Sequence, residues 1–256
     1  MTYCVGLFLK SGLAFASDSR TNAGVDYISS YTKMHIFQPA EDRVFVLMAA
    51  GNLATSQAVL HQIKQDIDEA MALPDTSKKD HIKNLLEADY IHQVADYIGG
   101  LSVAIQEKNE PILQQYGASG QVSFILGGQI AGQPHGMFLI YPQGNSICAT
   151  PETPYLQIGE SKYGKPPLDY ISHYDMGLEK AGRLLLISQI VTHRSNLTCG
   201  PPFDIAIVQK DEFRICRRLK LKKDSPDLWS TRKAWADVMT QSIDMIPQLQ
   251  WQDSPV

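Results

Sequence analysis

Short apolar runs separated by a turn signal open the chain. Residues 3–9 are continuously apolar, residues 10–12 carry Lys, Ser and Gly, and residues 13–20 begin with a second apolar stretch. This pattern predicts a buried strand, a tight hairpin and a second strand that ends with Asp18 and Arg20.

The same signals continue along the chain. Helical periodicity predicts helices at residues 53–71 with Asn52 as a cap, at 82–98 before two glycines, at 177–193 and at 226–246. Further strands are predicted at residues 44–50, 122–128, 136–141, 146–148, 203–208 and 213–216. The double glycine at 127 and 128 has two interpretations, a close approach of substrate or a β-bulge. Together the elements predict an α/β protein.

The amino-acid composition narrows the class of protein. A chain of 256 residues with 44% hydrophobic residues predicts one domain over residues 1–256, with a C-terminal helix and tail at 226–256. The net charge of −4 indicates neither nucleic acid nor an anionic membrane as a partner, and the basic run at 217–223 is interpreted as a solvated strand edge. No apolar run is long enough for a membrane span or a signal peptide, which predicts a cytoplasmic protein.

The cysteines and the first residues define the candidate chemistry. Four cysteines without metal-binding spacing predict reduced thiols, no metal site and no cofactor. Thr2 follows Met1, and its small side chain favours removal of that methionine. The product would carry a hydroxyl and an α-amine on one residue, and an amine with a pKa of about 7.7–8.0 can accept the hydroxyl proton.

Lys33 and Asp18 are candidates to assist that hydroxyl. A lysine ammonium beside it would lower the cost of forming the alkoxide, and a carboxylate would hold the lysine in place. The alternative interpretation of the two charges is a solvated ion pair worth about 0–1 kcal/mol.

Several motifs occur together in the order of a known family. They are Thr-Tyr-Cys-Val-Gly from Thr2, Ser-Asp-Ser-Arg from Ser17, Lys33 before an apolar segment, and Met-Ala-Ala-Gly ending at Gly51. This arrangement resembles the proteasome β-subunit family of N-terminal nucleophile hydrolases. Within the family it is most similar to a bacterial branch of ancestral β-subunits. The resemblance is dense over residues 2–55 and returns at 156–169 and 192–208.

The resemblance implies a fold, an activity and partners. The fold would be a four-layer αββα sandwich. Thr2 would attack a peptide carbonyl and form an acyl-enzyme, with Asp18 and Lys33 as catalytic partners, Gly51 in the oxyanion hole and Arg20 in support. The family self-associates into rings or related arrays, and some members work with an unfoldase. Two alternatives stay open: an amidase acting on small molecules, and an assembly subunit without hydrolytic activity.

Two motifs depart from the family pattern. Gly-Glu-Ser stands where proteasome subunits carry Gly-Ser-Gly, so either Glu160 or Ser161 would support the terminal amine. Further on, Ser195 stands at the position of a family aspartate and Thr198 at that of a serine. A hydroxyl cannot favour the protonated amine as a carboxylate does. This predicts an amine that stays neutral to a lower pH, or a weaker enzyme.

Overall fold

A computed structural model describes residues 1–22, 28–72 and 84–252. Within these ranges the strands are β1 (Tyr3–Leu9), β2 (Gly12–Ser17), β3 (Arg20–Asn22), β4 (Ile28–Ser30), β5 (Met34–Ala40), β6 (Arg43–Gly51), β7 (Val122–Ile130), β8 (Gly136–Ile140), β9 (Ser146–Cys148), β10 (Tyr155–Gly159), β11 (Phe203–Gln209) and β12 (Arg217–Leu221). The helices are α1 (Leu53–Ala72), α2 (Ile91–Gln115), α3 (Lys165–Ile171), α4 (Leu178–Ser195) and α5 (Pro226–Asp244).

The strands form two five-stranded antiparallel sheets and a separate β3–β4 pair. The first sheet has the order β10-β1-β2-β11-β12 and combines the N-terminal hairpin with strands from the second half of the chain. The second sheet has the order β5-β6-β7-β8-β9, so consecutive strands are neighbours and form a meander.

Three hydrophobic clusters define four layers. One cluster lies between the sheets and includes Phe15, Val46 and Ile125. A second lies between the β5–β9 sheet and helices α1 and α2, and a third lies between the other sheet and helices α3 and α4. Strands β1, β2 and β6 are buried on both faces, which explains their continuous apolar sequences. The predicted αββα sandwich is confirmed.

The second helix differs from the prediction. It was expected over residues 82–98, but α2 begins at Ile91 and continues through Gly99 and Gly100 to Gln115. A Cβ on Gly99 would collide with the carbonyl oxygen of Gly144, so this glycine permits close helix–loop packing instead of ending the helix. Pro111 also lies inside α2. Residue 82, the first residue of the predicted helix, lies outside the described residues.

The glycine pair at 127 and 128 fits neither interpretation made from the sequence. Both residues lie in β7 in unbroken antiparallel register with β6. A Cβ on Gly127 would meet the ring of Phe15 from the facing sheet, and one on Gly128 would meet the Val44 carbonyl. The two glycines therefore allow close packing within and between the sheets.

The closing hairpin is also shifted. Its second strand was expected at 213–216, but Asp211 and Phe213 have φ angles of 65° and 49°, and the pairing strand is β12. The basic run therefore forms the outer strand of its sheet and is largely exposed, as predicted. Among the described helices, none has the length and apolar character needed to cross a membrane.

Candidate active site

Thr2 lies directly before β1 and is held through its backbone. Its carbonyl oxygen accepts a hydrogen bond from the Glu160 N–H at 2.7 Å, and the next residue, Tyr3, donates its N–H to Asp18 Oδ1 at 2.9 Å. Gly159 has a φ of 82°, and a Cβ there would collide with the Thr2 carbonyl. Contacts from two neighbouring segments thus fix the position of Thr2.

Asp18 is fully buried and accepts three hydrogen bonds. Oδ1 accepts from Lys33 Nζ at 2.7 Å as well as from the Tyr3 N–H, and Oδ2 accepts from the Gly200 N–H at 3.0 Å. A buried carboxylate needs such donors to offset its desolvation. The structure therefore brings Asp18 and Lys33 into a buried pair, unlike the solvated pair of the alternative interpretation.

Lys33 precedes β5, and its side chain is 7% exposed. Besides Asp18, its ammonium donates to the carbonyl of Arg20 at 2.6 Å and to the carbonyl of Met1 at 3.2 Å. The Met1 carbonyl belongs to the peptide bond that must break to free the Thr2 amine. The ammonium therefore lies beside the N-terminal peptide group of Thr2.

Thr2, Lys33 and Gly51 line one small cleft of about 80 Å³. Gly51 ends β6 with a φ of 132°, and a Cβ there would collide with the Gln121 carbonyl. Immediately after it, Asn52 caps α1 by accepting the Thr55 N–H at 3.1 Å, as the sequence predicts. The strand-to-helix junction at Gly51 thus faces the same space as the candidate nucleophile.

His35 also lines this cleft, and sequence reasoning did not single it out. Burial, and secondarily the charge of Lys64, lowers the pKa of His35 to about 4, so the imidazole is neutral at pH 7. The signal that could have found it is strand alternation, since residues two apart share a face and His35 follows Lys33 by two.

Cys4 lies close to the site but is not activated. Burial strongly raises the pKa of its thiol, and its Sγ lies 3.8 Å from the Ala49 carbonyl oxygen. A thiol kept protonated is a poor nucleophile. Cys4 is therefore a packing residue of the cluster between the sheets.

Two of the predicted supporting residues, Glu160 and Thr198, are joined by Asn196. Asn196 connects Glu160, whose carboxylate accepts its Nδ2 at 2.9 Å, with Thr198, whose hydroxyl donates to its Oδ1 at 2.6 Å. Asn196 was missed because it lies between the two positions that the family pattern singles out. Ser161 and Ser195 are both solvent-exposed.

Arg20 donates to the Leu197 carbonyl at 2.6 Å, so it holds the segment after α4. Its own carbonyl accepts from Lys33. In residues 1–22, 28–72 and 84–252, no cluster of three or more His, Cys, Asp or Glu side chains is arranged to hold a metal ion.

The four layers, with a threonine at the start of a central strand beside a buried lysine–aspartate pair, define an N-terminal nucleophile hydrolase fold of the proteasome β-subunit class. Solved structures agree. Anbu (ancestral beta-subunit) from Yersinia bercovieri is 38% identical, with a TM-score of 0.87 and coverage of 98% of this chain and 100% of its own. The chain belongs to the Anbu family.

Two further structures support this assignment. The Gly-1 mutant of Anbu from Hyphomicrobium sp. strain MC1 is 36% identical, with a TM-score of 0.87, and the alignment covers 98% of this chain and 100% of that one. The helical assembly of the Anbu complex from Pseudomonas aeruginosa is 36% identical, with a TM-score of 0.87 and coverage of 97% and 98%. Neither a protein-family model nor a curated protein matches the chain.

Proposed function

We propose that the chain is a threonine-type N-terminal nucleophile hydrolase that cleaves peptide bonds with Thr2 after removal of Met1. The observation that carries the proposal is the position of Lys33. Its buried ammonium, held by Asp18 at 2.7 Å, also contacts the Met1 carbonyl, whose carbon is bonded to the nitrogen that becomes the Thr2 amine. A cation so placed favours the alkoxide form of the Thr2 hydroxyl.

The reaction would proceed in two steps. The Thr2 amine accepts the proton of Oγ, and Oγ adds to the substrate carbonyl carbon while the Gly51 N–H stabilises the negative charge on the oxygen. The amine then gives the proton to the leaving nitrogen, the C–N bond breaks, and an ester on Thr2 remains. Water, deprotonated by the same amine, attacks the ester, releases the acid and restores Thr2.

The size of the cleft bears on the substrate. Because the space beside Thr2 is only about 80 Å³, it would admit single side chains of an extended peptide. Folded proteins would then need an unfoldase partner. A small-molecule amidase would use the same chemistry with a substrate that fills the cleft alone.

One surface favours the assembly function as a second candidate. Of the 19 residues of α5 only Leu228 is buried, and the exposed apolar side chains of this helix include Trp229, Val238, Met239 and Ile243. Exposed apolar surface of this kind is typical of protein contacts. We propose that the chain self-associates into a ring or related array, as the Pseudomonas aeruginosa protein forms a helical assembly.

Intact mass followed by treatment with a β-lactone tests the hydrolase proposal. We expect loss of Met1, one lactone adduct on Thr2, and turnover in a broad peptide library. Thr2→Ala should abolish both adduct and turnover. Thr32→Ala, which removes another hydroxyl from the same cleft, should retain the adduct.

Two results would contradict the hydrolase. Retention of Met1 in the purified protein would leave no free amine on Thr2. A processed chain that forms no adduct and turns over no peptide would favour the assembly subunit instead.

A further inference from the structure

The hydroxyl group of Tyr3, the residue after Thr2, belongs to a buried chain of hydrogen bonds. Ser188 Oγ donates to the Gly164 carbonyl at 2.7 Å, so its single proton is committed. The Tyr3 hydroxyl, 2.7 Å from Ser188 Oγ, must therefore donate to it, and Gln157 Nε2 donates to the Tyr3 oxygen at 2.6 Å. The hydrogen bonds therefore all run the same way, from Gln157 to Tyr3, from Tyr3 to Ser188 and from Ser188 to the Gly164 carbonyl.

The backbone of Tyr3 is held as firmly as its side chain. Its carbonyl accepts from the Asp18 N–H at 3.1 Å and from Gln189 Nε2 at 3.2 Å. Its N–H donates to Asp18 Oδ1, the oxygen that also binds Lys33. A rotation of Tyr3 would therefore disturb the carboxylate that holds the lysine.

The same hydrogen-bond chain anchors the loop of residues 159–164. At its start, Glu160 donates its N–H to the Thr2 carbonyl at 2.7 Å. At its end, the Gly164 carbonyl accepts from Ser188, and a Cβ on Gly164 would collide with the Tyr3 hydroxyl. The loop is thus bonded to Thr2 at its start and, through Ser188, to Tyr3 at its end.

Packing alone does not require a hydroxyl at this position. Tyr3 is fully buried in an apolar cluster with Val5, Leu185 and Phe203, where a phenylalanine ring would fill nearly the same volume. A buried polar network adds little net stability over an apolar replacement, but it admits one arrangement of its members. Burial also raises the pKa of the phenol, so Tyr3 stays a neutral donor.

We propose that Tyr3, acting with Gln157 and Ser188, is a positioning residue that sets the placement of Thr2, Asp18 and the 159–164 loop for attack. The inference rests on the proposed hydrolase activity for its kinetic consequence. Its structural consequence, an ordered 159–164 loop, does not depend on activity.

The test compares Tyr3→Phe with the wild type and with Tyr97→Phe, which removes a hydroxyl that donates to Asp66 in the helical layer on the other sheet. β-Lactone acylation of Thr2 should be about tenfold slower in Tyr3→Phe at saturating lactone, the equivalent of one hydrogen bond, with the half-saturating concentration unchanged. Tyr97→Phe should change none of these.

Hydrogen exchange of the 159–164 peptide provides the readout that does not require catalysis. We expect it to exchange about tenfold faster in Tyr3→Phe, and Ser188→Ala should act in the same direction as a second variant. A folded Tyr3→Phe protein with wild-type acylation and wild-type exchange would overturn the inference. If the wild type itself forms no adduct, the proposed function fails, and the exchange rates alone decide on the network.

Discussion

Asp18→Asn tests the central charge arrangement of the site. The substitution keeps the size of the side chain but removes the negative charge that faces the buried Lys33. It also replaces one acceptor oxygen by an NH₂ group. Whichever way the amide is oriented, that group points either at the Gly200 N–H or at the Lys33 ammonium, which are both donors.

The expected cost follows from burial. The side chains of Asp18 and Lys33 are 0% and 7% exposed, so removal of the carboxylate leaves an uncompensated charge inside the protein. Breaking one side of such a pair costs about 3–5 kcal/mol. Domains have a total free energy of unfolding of about 5–15 kcal/mol, so the loss is a large fraction of it.

Urea denaturation followed by far-ultraviolet circular dichroism measures this loss, at one fixed protein concentration because self-association shifts the midpoint. Asp169→Asn is the matched control. Asp169 pairs with Lys165, but these side chains are 45% and 51% exposed, so we expect a change of about 0–1 kcal/mol. Adding Lys33→Met to Asp18→Asn should recover most of the loss, because no charge is then left unpaired.

The reasoning would be refuted if Asp18→Asn lowered the free energy of unfolding by less than about 1 kcal/mol, as a surface pair would. A double variant no more stable than Asp18→Asn would also contradict it. In that case the loss would come from the hydrogen bonds to Tyr3 and Gly200 and not from the stranded lysine.

Two further predictions concern pH and backbone packing. The pKa of His35 is about 4 in the folded chain, whereas an exposed histidine in the unfolded chain has a pKa of 6.5. The unfolded chain therefore takes up the proton first, and the free energy of unfolding decreases as pH falls from 6.5 to 4. His35→Gln should reduce the drop in unfolding free energy from pH 8 to pH 5 by about 2 kcal/mol; an unchanged drop would contradict this. Gly99→Ala should lower the free energy of unfolding by about 1–3 kcal/mol, because the added Cβ would collide with Gly144. Gly100 has open space around it, so Gly100→Ala should raise the free energy of unfolding by about 0.5–1 kcal/mol. Equal effects of the two substitutions would show that the close approach of Gly99 to Gly144 is unimportant.

Much of the candidate site was predictable because its signals lie in short stretches. Thr2 lies directly before β1, Asp18 directly after β2 and Lys33 directly before β5, so each stands at a strand end that the local sequence indicates. Antiparallel pairing of β1 with β2 brings Thr2 close to Asp18, whereas the contact of Lys33 with Asp18 is a tertiary one. Asn196 was missed because the family pattern singles out the positions on either side of it, and His35 because strand alternation from Lys33 was not considered.

Glycines show most clearly where local patterns stop being informative. Two adjacent glycines after a helical pattern predict a helix end, yet Gly99 and Gly100 lie inside α2, because a loop more than forty residues later packs against the first of them. The pair in β7 was ambiguous for the same reason. A missing side chain can serve a turn or a close contact, and only the neighbour distinguishes the two.

By itself the sequence determined the strands and helices with strong periodicity, the capped start of α1 and the residue types available for threonine chemistry. Tertiary structure alone decided the length of α2, the position of β12 and the hydrogen bonds around Thr2. Tyr3 meets Ser188 across 185 positions, and Asp18 meets Gly200 across 182. Periodicity depends on the local secondary structure of a segment, whereas contacts across such sequence separations form only when sheets and helices pack together.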